Sequence, residues 1–113
     1  MPELWTLDGI APLMKPWPEE MKQVLRHLAA ARYFLPVTLK QPDGFDTEAQ
    51  YEEFLHHTEF GLAMEYLEDL GQLNTGYAEE GLFWSEMLAA AQLMGSTKDA
   101  ERYRARVEAH NAV

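Results

Sequence analysis

Glu59 to Gly71, EFGLAMEYLEDLG, is the stretch that decides the fold of this chain. Leu62, Ala63, Met64, Tyr66, Leu67 and Leu70 recur three and four residues apart, with Phe60 leading the row. On a helix of 3.6 residues per turn they form an apolar stripe wide enough to face a core rather than one partner helix. The other face carries Glu59, Glu65, Glu68 and Asp69. Glu65 and Asp69 are like charges four residues apart, an arrangement that costs a helix about 0.2–0.5 kcal/mol. No Lys or Arg nearby in the chain relieves them. The stretch reads as a helix, half core and half unbalanced negative surface.

Towards the C-terminus, Gly71 and the turn-rich Asn74-Thr75-Gly76 close this helix. A third helix is predicted over roughly 76–94, with Phe83, Met87, Ala90, Ala91 and Met94 in one apolar row and Trp84, Leu88 and Ala91 in a second. Glu79, Glu80 and Glu86 line its outside, and the small Ala89, Ala90 and Ala91 allow a neighbouring helix to come close. Gly95 stops it, and Ser96 with Asp99 opens a fourth helix over about 98–110. Ala100, Tyr103 and Val107 face inward there, with Arg102, Arg104 and Arg106 around them.

Towards the N-terminus, Thr47 with Gln50 fits a capping box, and Tyr51, Phe54 and Leu55 extend the apolar rows. His56-His57-Thr58 interrupts them, and Gly61 costs about 1 kcal/mol in a helix interior. The reading adopted is one continuous helix from 47 to 72 with a local irregularity. The alternative is a break near 57–61 with Thr58 as a new cap. The first helix starts at Pro18 with Glu19 and Glu20 in its first turn and ends at Pro36. Met21, Val24, Leu25, Leu28, Ala31 and Leu35 form its stripe, while Lys22, Arg26 and Arg32 point elsewhere. Four prolines exclude a long helix from residues 1–18. Residues 1–17 are expected as an extended arm packed on the bundle and anchored by Trp5 and Trp17, which alternatively grip a partner. Short connections make helices two, three and four successive antiparallel neighbours. The expected architecture is all-α: residues 1–113 form a single helical domain, a small four-helix bundle with a Pro/Trp-rich N-terminal arm.

The chain has 113 residues and no cysteine, so neither disulfides nor thiolate metal sites are available. It shows no secretory signal and no apolar run approaching the roughly 18 residues of a membrane span, which points to the cytoplasm. The net charge of −10 is concentrated in the middle: from Gln41 to Thr97 there are twelve Asp or Glu and no Lys or Arg. Solubility alone explains an acidic surface, but 57 residues without a cation go further. Such a field repels nucleic acid and anionic membrane and attracts a basic protein.

Catalytic chemistry is poorly supplied. Glu53 and His56 form a Glu-x-x-His pair, half of a di-iron carboxylate site, yet a second such pair is missing. Ser85 and Ser96 are the only serines; Ser96 reads as a helix cap and Ser85 sits within a helix. Surface acids four apart do not make a glycosidase site, which needs a concave pocket between them. No catalytic residue, metal or cofactor is expected.

HTEFGLAMEYLEDLG, followed after a turn by FWSEMLAAAQLMG, resembles small helical bacterial immunity proteins of polymorphic toxin systems, the Maf-type among them. Glu59, Leu62-Ala63, Leu67 and Leu70, then Phe83-Trp84 and Ala89 to Ala91, carry the resemblance, over about residues 57–95. It implies function by binding, as an inhibitor that occludes one cognate toxin; an unpaired acidic surface suits a basic nuclease. The partner-binding residues expected on that surface are Glu65, Glu68, Asp69, Glu79 and Glu80. The rival reading is a helical adaptor or regulatory interaction module without a toxin partner. Repeat adaptors need about three repeats, and the chain has no internal repeat.

Overall fold

The computed structural model describes residues 18–36, 53 and 59–111. Four helices make up the described bundle: α1 (Glu19–Phe34), α2 (Phe60–Leu73), α3 (Glu80–Leu93) and α4 (Thr97–Asn111). Among the described residues there is no strand, and the protein is the all-α small bundle that the apolar spacing requires. The arm at residues 1–17, with Trp5 and Trp17, lies outside the described residues.

α1 begins directly after Pro18 and ends where Leu35 turns extended, with ψ of 156°. Pro36 dictates that, since the residue before a proline is driven out of the helical region. Val24, Leu25, Leu28, Ala31 and Leu35 are buried as expected. Arg32 departs from expectation: it is buried, because positions 25, 28 and 32 share one helical face. Its long aliphatic stem suits such a position.

α2 is shorter than the continuous helix expected over 47–72. Glu59 has ψ of 68°, outside the helical range, so the helix starts afresh at Phe60. Phe60, Ala63, Met64, Leu67, Leu70 and Gly71 are buried along one row. Leu62 is not in that row; it sits on the solvent side of the helix. Asn74 closes α2, its backbone N–H and its side-chain Nδ2 both donating to the Leu70 carbonyl, at 3.1 and 2.9 Å.

The turn to α3 is longer than expected, since α3 begins at Glu80 rather than near 76. Gly76 takes φ of 84°, a conformation cheap only for glycine. Its N–H donates to Glu80 Oε1 at 2.8 Å, so the first residue of α3 holds the turn that leads into it. α3 ends in a Schellman motif. Ser96 N–H donates to the Ala91 carbonyl and Gly95 N–H to that of Gln92, with Gly95 at φ of 71°.

α3 packs against both α1 and α4. Phe83, Trp84, Met87, Ala90 and Ala91 are buried there, with Leu88 and Met94 partly so. Trp84 lies 5.7 Å from Tyr103 of α4, ring centre to ring centre, and both are fully buried. Rings of this size each bury roughly 150–250 Å² and dominate a small core. α2 runs antiparallel to α3, with Gly61 near Met94 at one end and Gly71 against Phe83 at the other. A Cβ on Gly71 would stand 2.7 Å from Phe83 Cζ, so only glycine permits that approach. His110 at the end of α4 lies against Gly81 at the start of α3, which makes that pair antiparallel too.

Candidate functional site

The five acids expected on one binding surface have three different fates. Glu65 and Asp69 are exposed on α2, and Glu79 is exposed just before α3. Among the described residues no ion pair engages any of the three. Burial, and then the neighbouring Glu68 charge, push the Asp69 carboxyl above the ordinary aspartate range. A cation brought close would act in the opposite direction and favour the charged form.

Glu80 is half-buried and already engaged. Besides the Gly76 N–H, it accepts the indole Nε1–H of Trp84, on Oε2 at 3.3 Å. Its role is to tie the turn to the core.

Glu68 corrects the sequence reading most sharply, because it is a buried side chain and not part of the acidic surface. Arg102 of α4 donates from Nε to Oε2 at 3.0 Å and from Nη2 to Oε1 at 2.8 Å. The Tyr103 hydroxyl donates to Oε1 at 3.1 Å, and Gln72 Nε2 to Oε2 at 3.4 Å. Arg102 Nη2 also donates to Asp99 Oδ1 at 2.5 Å. The hydrogen bonds to Glu68 and Asp99 raise the Arg102 pKa further, fixing the guanidinium as charged. Burial, followed by the Glu68 charge, pushes the Tyr103 phenol well above its usual range, so the hydroxyl keeps the proton it donates. The negative charge of the 41–97 stretch is thus relieved at this point from α4.

This network stands beside a groove between α2 and α4 of about 290 Å³, lined by Glu68, Gln72, Arg102, Tyr103, Ala105 and Arg106. Arg106 closes one side with its guanidinium 5.1 Å above the centre of the Trp84 indole, a cation–π contact. No protein-family model matches the chain, and neither a curated protein nor a solved structure matches it.

Two further features escaped the sequence. His27 of α1 and Glu86 of α3 meet at 2.6 Å, a hydrogen bond between Nδ1 and Oε2 that joins residues 59 positions apart. Leu62 and Leu73 are exposed on the same side of α2 as Glu65 and Asp69. A signal for the leucines was present, since 62, 65, 69 and 73 lie at helical spacing. Of the half-motif for di-iron, Glu53 is exposed and His56 lies outside the described residues. Among the described residues no group of three or more His, Asp or Glu is placed to hold a metal ion. No described helix is long and apolar enough to cross a membrane.

Proposed function

We propose that this protein acts by binding: it is an immunity protein that neutralises a cognate bacterial toxin in the cytoplasm, meeting a basic surface of that toxin with Glu65, Asp69 and Glu79. One observation carries the reading. These three acids stand in solvent with no ion pair to a described residue, while the neighbouring Glu68 has been drawn inward and neutralised by Arg102. A partner's Lys or Arg placed there would meet carboxylates that no described cation engages. A basic nuclease fits as the partner because its substrate-binding surface must itself be cationic. Nucleic acid and anionic membrane are repelled by the same field.

Replacing Glu65, Asp69 and Glu79 together by Lys tests the reading. All three face solvent, so the bundle should keep its stability to within about 0.5 kcal/mol per site. Association with a basic toxin domain, the partner that this reading calls for, should slow by at least about tenfold at low salt, and the wild-type rate should fall as salt is added. Unchanged association by a folded triple variant would leave the acids with a solvation role only.

A further inference from the structure

The outward side of α2 is a mixed surface, not a bare acidic cluster. Leu62 and Leu73 are 41% and 43% exposed. With Glu65 and Asp69 between them they fall at steps of three, four and four residues, which is one helical face. At about 1.5 Å per residue the leucines stand roughly 16 Å apart along the axis and the two acids roughly 6 Å apart. The apolar residues are therefore at the ends and the charges in the centre.

Charge selects what can lie on this face. A second copy of the chain would bring Glu65 and Asp69 against like charges, and the whole molecule carries −10. A helix laid along α2 with basic side chains four residues apart would match the acids in spacing. Apolar side chains beyond each end would cover the leucines. We propose that the Leu62–Glu65–Asp69–Leu73 face of α2 docks a basic amphipathic helix of the partner, with two Arg or Lys four residues apart set between two apolar side chains. This rests on the binding reading above and adds the leucines as anchors. Charge steers the encounter and changes the association rate, whereas buried leucines hold the complex and change its dissociation. Four residues cover far less than the roughly 1,200 Å² of a stable interface, so an isolated helix binds here weakly.

The probe is a synthetic helical peptide with two arginines four residues apart between two leucines eleven apart, titrated into the 113-residue protein and followed by amide chemical shifts. Shifts should concentrate in residues 62–73. Replacing the peptide leucines by serine, or using the Leu62→Ser/Leu73→Ser protein, should weaken binding at least about tenfold. Both proteins are first matched by thermal melting. Equal affinity with and without either set of leucines overturns the docking mode, as do shifts centred outside α2 or no shift at all. If charge reversal at Glu65, Asp69 and Glu79 still slows toxin association in any of those cases, the acidic binding surface stands and only the docked helix fails. If charge reversal has no effect either, both readings fall.

Discussion

Arg102 of α4 grips the buried carboxylate of Glu68 on α2 edge to edge, with hydrogen bonds of 3.0 and 2.8 Å. The pair spans two helices and sits over the hydroxyl of Tyr103, which donates to the same carboxylate. A half-exposed arginine can return to water when its partner is lost, but the buried Tyr103 hydroxyl cannot.

Glu68→Ala should therefore destabilise the protein by about 1–3 kcal/mol, mainly through the stranded hydroxyl. Adding Tyr103→Phe should recover part of that loss. Urea unfolding of the two single variants and the double variant checks this. A Glu68→Ala cost no larger than that of an ordinary surface change would show that the network contributes nothing.

Asp69 gives a pH-dependent prediction. Its carboxyl is raised in the folded protein by burial and by Glu68, so the charged form is disfavoured by folding. The resulting penalty is present above the folded pKa and absent below the unfolded one, near 4. Asp69→Asn should raise the melting temperature slightly at about pH 7, by no more than about 0.5 kcal/mol of stability. The gain should vanish at about pH 3, where both forms are neutral. A gain of the same size at both pH values would contradict the assignment.

Tyr77 buries a hydroxyl that meets no hydrogen-bond partner among the described residues. Burial, then the charges of Glu80 and Glu79, push its phenol well above the ordinary range. Tyr77→Phe removes the unsatisfied group and keeps the ring, and should stabilise the protein by about 1 kcal/mol. Denaturant midpoints measure it, and a clear loss of stability would reveal an acceptor for the hydroxyl.

Leu67 lies at the centre of the α2 row with no solvent exposure. Leu67→Ala should cost about 2–5 kcal/mol, the range for a buried large-to-small change. Equilibrium unfolding decides it. A cost under about 1 kcal/mol would mean that the site collapses around the smaller side chain.

The helices were legible because their signals are local. Pro18 and Pro36 bracket α1, and Gly95 ends α3 through a conformation that its neighbours do not readily adopt. Interior positions such as Leu67, Phe83 and Tyr103 followed from three- and four-residue spacing. Glu68 and Arg32 did not, because side-chain polarity argued for the surface while their helical positions pointed inward. The cation that settles Glu68 lies 34 residues away, beyond any pattern read along one helix. The same limit hid the contact of His27 with Glu86. Leu62 was misplaced for the opposite reason, since its apolar character outweighed its angle on the helix. The break at Glu59 falls within the 57–61 window that the sequence offers as the alternative to a continuous helix, and the backbone of Glu59 decides between the two.

Phe83 rests on Gly71 as a ring on bare backbone. Sliding α2 by one residue along α3 would bring the Cβ of Leu70 or Gln72 into that space, so the contact pins the axial register of the two helices. With the register held from inside, positions 62, 65, 69 and 73 can change without shifting the frame that presents them. Substitution at those four sites would change the chemistry of the outer surface while the fold is inherited intact.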